Sequence, residues 1–436
     1  GRTSVNLNGR TILFDGEELS PGFRKDRQTN QRLVAGARGN WHDWNYTLAF
    51  AHGLNKLTLG ETGGLTTNLW GRLFTESELL QNPLDYSDET LSKIRSVVAP
   101  DRQLREVSTQ LTDINLTASQ KIGETDWGDV KLGTVIFSQR QKYDLNLLTP
   151  SAIEKPYYAK RAIGGGAMEI QVPAYENLLL TGSLRVAKYS DFGSTATGKA
   201  AFKYNVSGNT FIRGSVGSGF RAPTLTQIHQ LPSRINLSAN NYEVYAQGNP
   251  KLQPEKSQQM SFGFQREANP KLTYGADLWQ INLREAFGAW SVEQINGDPM
   301  LKEKYFIDNP KGLDRYDIAP LNLGQMLKRG IDYNIRLRHP MDHGRLWLIV
   351  EGTYNLKSDQ SPYPDQGMMS DIGIYRNSTN TFTPKNKIKF SSIWETANYQ
   401  IGASINYVSG NIENLPNNVL MVSTGNRVGA QYKNTI

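Results

Sequence analysis

The feature that most constrains this chain is a strict alternation of apolar and polar residues, repeated in segments of about nine to twelve residues. Trp44, Tyr46 and Leu48, for example, alternate with Asn, Thr and Ala. A period of two residues is typical of β-strands, because successive side chains point to opposite faces of a sheet. About fourteen such segments are present, from residues 31–38 to residues 400–409. The chain is therefore predicted to be all-β.

The connections between these segments alternate between short and long, which helps to distinguish a membrane barrel from a soluble β-protein. Short turns are predicted at 39–43, 123–129, 173–177, 207–209, 269–270, 339–344 and 395–398. Long connections are predicted at 52–108, 142–163, 222–256, 287–328 and 357–385, and 190–196 is a short exception on that side. Bacterial outer-membrane barrels have tight periplasmic turns and long extracellular loops, whereas soluble up-and-down barrels close at about eight strands. The pattern predicts an antiparallel transmembrane β-barrel.

Composition agrees with this architecture and excludes several others. The mean hydropathy is −0.52, and no apolar run approaches the ~18 residues that a membrane helix requires. There are no cysteines, so disulfides and thiolate chemistry are excluded. The net charge is +7, but 48 basic residues are scattered among 41 acidic ones, which argues against a nucleic-acid partner. No cofactor and no metal site are predicted.

Two segments in one long connection stand out from the rest of the chain. They are residues 217–225, which read GSGFRAPTL, and residues 248–257, which read GNPKLQPEKS. Proline cannot donate to a strand ladder, so both segments are predicted to guide the chain out of one strand and into the next. The residues that define them are Gly219, Phe220, Arg221, Pro223, Asn249, Pro250, Pro254 and Glu255.

These two segments, in this order and at this separation, resemble the barrel signature of the TonB-dependent outer-membrane receptors. The resemblance implies a barrel of 22 strands, of which about fourteen are visible, with an N-terminal plug inside it. Residues 1–436 are then expected to be a partial barrel, with the plug, the first strands and the last strands outside the sequence. In agreement, residues 431–436 lack the terminal aromatic strand of such barrels. Arg221 and Glu255 are expected to form a solvated pair across two strand ends.

The resemblance also implies a function and a location. Such receptors reside in the outer membrane of Gram-negative bacteria, surrounded by outer-membrane lipid. They bind a scarce nutrient, such as a ferric siderophore or cobalamin, at extracellular loops and import it actively. The energy comes from the TonB-ExbB-ExbD complex, which acts through the plug. No covalent chemistry is expected, and further envelope subunits are left open.

The nutrient ligand is expected to meet the long loops. Aromatic side chains stack on ring systems, and arginine pairs with anionic groups, so these residue types are the candidates. The alternative is that the same side chains pack the loops against one another. The selected candidates are Arg234, Tyr242, Tyr245, Trp290, Tyr305 and Tyr363.

Other functions share parts of this pattern. A passive porin has the same alternation and loop lengths, and only the paired signature argues against it. A structural or adhesive barrel that binds a partner protein through its loops is a further alternative. An outer-membrane enzyme requires a nucleophile or water activated by histidine, but the loop histidine His229 has no acidic partner nearby in sequence and no catalytic motif is present. The sequence does not identify the nutrient.

Overall fold

The computed structural model describes a chain that consists almost entirely of β-strands. The described residues are 2–7, 10–15, 23–62, 87–89, 92–93, 102–149, 154–237, 242–310, 313–361, 363, 367–376, 382–410 and 412–414. The expected chain end at 431–436 therefore lies outside the described residues. Among the helices that the structure describes, none combines the length and the apolar composition needed to span a bilayer.

Among the described elements, the strands of the main sheet are long, whereas the strands and helices within the connecting loops are short. In chain order the strands are β1 (Arg2–Leu7), β2 (Arg10–Asp15), β3 (Phe23–Trp41), β4 (Trp44–Thr62), β5 (Arg102–Thr125), β6 (Gly128–Leu147), β7 (Tyr157–Tyr175), β8 (Leu178–Tyr189), β9 (Gly193–Ser207), β10 (Thr210–Arg221), β11 (Ser233–Leu237), β12 (Tyr242–Ala246), β13 (Glu255–Asn269), β14 (Leu272–Gly288), β15 (Phe306–Ile307), β16 (Asp314–Ile318), β17 (Leu321–Met341), β18 (Gly344–Ser361), β19 (Met369–Ser370), β20 (Ile374–Arg376), β21 (Asn386–Glu395), β22 (Gln400–Val408) and β23 (Ile412–Asn414). The helices are α1 (Leu225–His229), α2 (Val292–Gly297) and α3 (Pro299–Tyr305).

One sheet dominates the fold. Its main path joins fourteen antiparallel strands in chain order, from β3 through β10, then β13, β14, β17, β18, β21 and β22. Each of these strands pairs with the one before and after it, and β19 adds a short pairing to β18. Consecutive antiparallel pairing of this kind is an up-and-down arrangement, as predicted. The strand number predicted from the alternation is confirmed.

The strand ends differ from the prediction on one side only. The short turns lie where they were predicted; β3 and β4, for example, are joined by the two residues between Trp41 and Trp44. On the other side the strands run further than predicted, because β4 continues to Thr62 and β5 begins at Arg102. The apolar alternation fades there while the hydrogen-bonded ladder continues. The prediction of the long connections 52–108 and 142–163 was therefore wrong in its bounds.

The outer face of the sheet is apolar and exposed. Leu48, Leu116 and Ile136 lie directly opposite one another on three successive strands. Their exposed fractions are 45%, 41% and 66%, which is unusual for large apolar side chains in a soluble protein. A continuous exposed apolar belt on strands is the expected surface of a barrel in lipid.

The inner face of the sheet is polar, as the alternation predicts. Arg213 on β10 donates two hydrogen bonds to Asp277 on β14, of 2.8 and 2.6 Å, across the intervening β13. Further along the sheet, the Thr353 hydroxyl donates to Asp332 at 2.7 Å. Charged and hydroxyl side chains therefore face the lumen while the opposite face meets hydrocarbon.

The long connections form a structured layer at one end of the sheet. Strands β11, β12, β16 and β15 make a separate four-stranded sheet in that order, with β12 and β16 parallel. Helices α2 and α3 pack beside it around Ile295, Tyr305 and Tyr316, which are 0%, 9% and 5% exposed. This apolar cluster gives the loops a core of their own. The remaining pairs, β1 with β2 and β20 with β23, are short two-stranded sheets.

Candidate functional site

The two signature segments meet through Arg221 and Glu255. These residues lie directly opposite each other on β10 and β13. The Arg221 guanidinium donates to both Glu255 carboxylate oxygens, one contact being 2.8 Å long, and the Phe287 backbone N–H donates to Glu255 at 2.7 Å. The Glu255 side chain is only 5% exposed, whereas that of Arg221 is 62% exposed. The expectation of a solvated pair was wrong for Glu255, because its carboxylate is buried among donors from β10 and β14.

The second signature segment holds two loops together. The Asn249 side-chain amide donates to the Pro320 carbonyl at 2.9 Å, and its carbonyl accepts the Lys251 N–H at 2.9 Å. The Asn322 amide and the Gln253 backbone exchange two hydrogen bonds, of 2.7 and 2.9 Å. The signature residues thus join the segment before β13 to the segment before β17. Pro250 and Pro254 lie inside this bonded stretch, between β12 and β13.

The first signature segment is anchored by a buried ion pair that was not predicted from the sequence. Arg161 on β7 donates to Asp191 at 2.7 Å and to the Pro223 carbonyl at 2.7 Å. The Arg161 and Asp191 side chains are 4% and 7% exposed. Rings of Tyr189 and Phe192 lie 5.7 and 5.3 Å from the guanidinium. This cluster fixes the point at which the chain leaves β10.

The remaining signature residues pack around the same point. Phe220 meets the Tyr189 ring edge-to-face at a centroid distance of 5.9 Å. A Cβ at Gly219 would lie 2.8 Å from the Ser257 hydroxyl oxygen, so a side chain there would require that hydroxyl to move. Helix α1 follows at once, capped by Thr224, whose hydroxyl accepts the Gln227 N–H. The signature is therefore a structural device that positions the loop above the lumen.

Beneath this loop lies a cavity of about 1000 Å³ on the long-loop side of the lumen. Its wall comes from residues of β3 to β7, and Thr224 and Thr226, at the start of the loop after β10, border it. Tyr143 in this wall stacks on Tyr157 at 5.3 Å with an interplanar angle of 23°. The wall offers amides, a phenol and the Arg32 guanidinium, which suits a ligand that carries both rings and polar or anionic groups. The polar wall residues include Asn30, Arg32, Asn55, Gln139, Gln141, Tyr143 and Arg161.

A second cavity of about 950 Å³ lies on the short-turn side. Arg38, Asn45, Thr117, Glu169 and Lys199 are in its wall. Arg38 lies on the same strand and the same face as Arg32, six residues along. The lumen face of β3 therefore presents one arginine to each cavity.

The loop residues chosen from the sequence mostly contact other residues of the same loops. Arg234 pairs with Glu243 across β11 and β12 at 2.6 Å. Tyr245 lies beneath the Arg315 guanidinium at 3.9 Å from the ring centroid. These contacts tie β11, β12 and β16 into one unit.

Two more of the chosen residues lie in the loop core. Tyr242 meets Tyr316 edge-to-face at 5.0 Å, and Tyr305 belongs to the buried cluster around Ile295. Tyr316 also donates from its hydroxyl to Asn296 at 2.9 Å. The aromatic residues of this loop are thus held in fixed positions.

Trp290 and Tyr363 bring two different long connections together. Their rings stack at 5.1 Å with an interplanar angle of 7°. Burial, and then the negative charge of Glu293, raise the pKa of the Tyr363 phenol. Tyr363 also borders a small cavity of about 310 Å³ with Phe287 and Met326. The pair places an aromatic surface at the junction of these loops.

The chain lacks the groups that a resident metal would need within the part that the structure describes. No cluster of three or more His, Asp or Glu side chains is placed there to hold an ion. The His229 imidazole, on α1, is part of the loop, and its Nε2 atom is buried without a hydrogen-bond partner among the described residues.

The family is decided by a match that covers almost the whole chain. The model for the TonB dependent receptor-like β-barrel matches residues 2–435. This chain belongs to the TonB-dependent receptor β-barrel family. Proteins of this family are receptors and transporters of the Gram-negative outer membrane that work with the TonB machinery. Among curated proteins, none matches the chain.

Solved structures of this family share the fold at low sequence identity. The siderophore receptor PirA from Acinetobacter baumannii superposes with a TM-score of 0.60 at 13% identity, over 94% of this chain and 52% of that chain. A mutant of the ferric enterobactin receptor PfeA from Pseudomonas aeruginosa, in complex with enterobactin, gives 0.62 at 14% identity, over 94% and 54%. The RagAB peptide transporter gives 0.58 at 13% identity, over 92% and 50%. This chain spans about half the length of these proteins.

The residues that line the cavity and anchor the loop were not among those predicted from the sequence. Arg32, Tyr143 and Arg161 lie on strands that are far apart in sequence, and no local motif connects them. The sequence did contain a signal for them. Each lies at a lumen-facing position of the apolar–polar alternation, near the strand end that leads to the long loops. Asp191 lies in the short connection 190–196, on the side of the long loops. It is flanked by the aromatic residues Tyr189 and Phe192, which also contact Arg161.

Proposed function

We propose that this protein is an energised importer of a metal chelate, such as a ferric siderophore or cobalamin, in the outer membrane of a Gram-negative bacterium. The observation that carries the proposal is the polar cavity of about 1000 Å³ beneath the anchored signature loop. Its size is within the range of pockets that enclose compact organic ligands. The ligand enters from the long-loop side, and the TonB-ExbB-ExbD complex supplies the energy through a plug domain.

The chemistry of the cavity wall supports a chelate over a simple sugar or ion. The stacked rings of Tyr143 and Tyr157 offer an aromatic surface to a planar ligand group. The Arg32 side chain is exposed in the lumen and has no ion-pair partner among the described residues, so it is available to an anionic ligand. The wall amides of Asn30 and Asn55 are linked by a hydrogen bond of 2.6 Å. An anionic, ring-bearing molecule satisfies all of these groups.

The loops above the cavity complete the binding surface in this proposal. The stacked Trp290 and Tyr363 rings contribute an aromatic patch. The contacts of Arg234 with Glu243 and of Tyr245 with Arg315 hold the loop sheet together beside it. Loops with a core of their own hold such groups in position, which lowers the entropic cost of binding. We expect ligand contact mainly through exposed ring faces and the cavity wall.

Uptake measurements test the transport proposal directly. The full-length protein is produced in a Gram-negative host that lacks its own chelate receptors, in paired strains with and without TonB. Radiolabelled ferric siderophores and cobalamin are then supplied at concentrations below those at which porins contribute. Accumulation of one chelate in the TonB-containing strain only is the expected result. Equal accumulation in both strains identifies a passive porin, and no accumulation with capture of a protein partner identifies an adhesive barrel.

Two matched substitutions test the site. Arg32→Gln is expected to weaken binding of the transported chelate roughly tenfold or more, since a charge-assisted bond contributes about 1.5–3 kcal/mol. Arg38→Gln, on the same strand and face but in the other cavity, serves as the control and is expected to change affinity less than about threefold. Equal effects of the two substitutions on measured affinity place the ligand elsewhere in the lumen.

A further inference from the structure

The sequence contains two Asn–Gly pairs, and the structure describes the second of them, Asn296–Gly297. Asparagine is a labile residue, because the backbone nitrogen of the residue that follows can attack its side-chain amide carbon. A glycine in that following position has no side chain to block the approach. The first pair, Asn8–Gly9, lies outside the described residues. Asn296 therefore places an electrophilic carbon next to an unhindered backbone nitrogen.

This pair lies at the end of α2, in the layer that the long connections form. Asn296 and Gly297 are both exposed, and a Cβ built on Gly297 would meet no atom within 4 Å. The next residue, Asp298, has an extended backbone, with φ −124° and ψ 116°, and caps α3. Water and hydroxide therefore reach the pair, and the space around Gly297 is open.

The helix that contains the pair opens easily at this end. For the Gly297 nitrogen to reach the side-chain carbon of Asn296, the backbone at Asn296 must leave the helical conformation. Helix α2 has only six residues, Val292–Gly297. Its last residue is a glycine, which is the least favourable helix residue after proline, and short helices have little stability of their own. Local opening of the last turn of α2 is therefore expected to be frequent.

A buried phenol already contacts the oxygen on which negative charge develops during such an attack. The Tyr316 hydroxyl donates a hydrogen bond of 2.9 Å to Oδ1 of Asn296. Tyr316 is 5% exposed, and the rings of Tyr242 and Phe306 lie 5.0 and 5.1 Å from its own ring. When the Gly297 nitrogen bonds to the amide carbon, Oδ1 becomes an oxyanion. A fixed donor at that oxygen stabilises it, as oxyanion-hole donors do in acyl transfer.

We propose that Asn296 is a site of spontaneous deamidation in the folded protein and that the Tyr316 hydroxyl assists the reaction. The Gly297 nitrogen gives its proton to water or hydroxide and bonds to Cγ of Asn296. The bond between Cγ and Nδ2 breaks, ammonia leaves, and a succinimide ring remains. Water then opens the ring at either carbonyl, which leaves aspartate or isoaspartate at this position. The reaction consumes water and releases ammonia, and it does not depend on which nutrient is carried.

Conversion changes the loop core in two ways. Either product adds a negative charge to a segment that already contains Glu293 and Asp298. Isoaspartate also adds a methylene to the backbone between the buried Ile295 and the cap of α3. Because α2 and α3 pack around Ile295, Tyr305 and Tyr316, a longer backbone displaces one helix relative to the other. We expect the amides of α2 and α3 to exchange hydrogen faster in aged protein than in fresh protein.

Peptide mapping of incubated protein tests this site. The full-length protein is held in detergent at neutral pH and physiological temperature, and mass spectrometry measures conversion at Asn296 and at Asn8 in the same digests. Tyr316→Phe removes the hydroxyl and retains the ring. Gly297→Ala hinders the attacking nitrogen, and its Cβ points into open space, so it leaves the fold unchanged. Asn8 is the internal reference, and a sample unfolded in urea gives the conversion rate of both pairs without tertiary structure.

The expected result is that the folded wild type accumulates aspartate and isoaspartate at Asn296. Gly297→Ala is expected to abolish this accumulation over the same period. Tyr316→Phe is expected to slow it about fivefold, which corresponds to a hydrogen bond of ~1 kcal/mol, while the rate at Asn8 stays the same. No conversion at Asn296 in the folded protein, over a period in which the unfolded sample converts, overturns the site. An equal or faster rate in Tyr316→Phe overturns the role of the Tyr316 hydroxyl.

Discussion

The buried ion pair between Arg161 and Asp191 offers a sharp test of how the signature loop is held. Arg161→Met removes the guanidinium that bonds both Asp191 and the Pro223 carbonyl, and retains a side chain of similar length. Asp191 is 7% exposed, and one of its oxygens already has no hydrogen-bond partner among the described residues. After the substitution the carboxylate is left buried without a cation.

The expected magnitude follows from what each variant leaves behind. Removing one member of a buried pair typically costs about 3–5 kcal/mol, because a buried charge loses its partner. The double variant Arg161→Met with Asp191→Leu removes both charges, so its main remaining loss is the hydrogen bond to Pro223, about 1 kcal/mol. The single variant is therefore expected to be less stable than the double variant by about 2–4 kcal/mol. If removing the Asp191 carboxylate restores stability, the loss in the single variant comes from an unpaired buried charge and not from lost packing.

Hydrogen exchange reads out the effect where it arises. The amides of α1 and of the strand end before Pro223 are monitored in the folded, detergent-solubilised protein. A local loss of about 3 kcal/mol raises their exchange rate roughly a hundredfold when exchange follows local opening. The double variant is expected to recover most of this protection. Equal protection in the single and double variants refutes the idea that an unpaired buried carboxylate is the cause.

Two further predictions concern the lumen wall and the loop junction. Gly263→Ala is expected to destabilise the barrel by about 1–3 kcal/mol in denaturant melts, because its Cβ would lie 2.6 Å from Asp277 Cγ. Gly133→Ala is the control. A Cβ at Gly133 would meet no atom within 4 Å, so this change is expected to alter stability by less than about 0.5 kcal/mol. Equal losses of stability in the two glycine variants would contradict a steric cause. Because burial and then Glu293 raise the pKa of Tyr363 above its usual 10, the folded loop holds that proton more tightly than the unfolded chain does. Stability is therefore unaffected below about pH 10 and falls as pH rises above it, and the phenolate absorbance difference between wild type and Tyr363→Phe checks the shift.

Much of the barrel was predictable because its determinants are local. The alternation at Leu48, Leu116 and Ile136 reports which side faces lipid, and the position of each short turn follows from where alternation stops. The outer ends of strands such as β4 were not predictable. Beyond the hydrocarbon boundary both faces meet water, so the ladder continues without an apolar pattern.

The signature residues show the same division at the scale of single side chains. The spacing between Arg221 and Glu255 was sufficient to predict that they meet, because they close two adjacent strands. Their burial was not, since it depends on the Phe287 backbone of a third strand, which supplies the extra donor. The burial of a side chain depends on residues that are distant in sequence, so the local sequence does not predict it.

The sequence by itself determined the strand number, the polar lumen, the apolar outer belt and the family of this protein, because each depends on residues at fixed spacing within one strand or one loop. The tertiary structure alone decided which side chains share a space. Arg161 meets Asp191 and Pro223, and Arg32 meets the cavity beneath the signature loop, only because strand pairing and shear bring distant segments to one height. Pairing register is a cooperative property of the whole sheet, so no single segment encodes it.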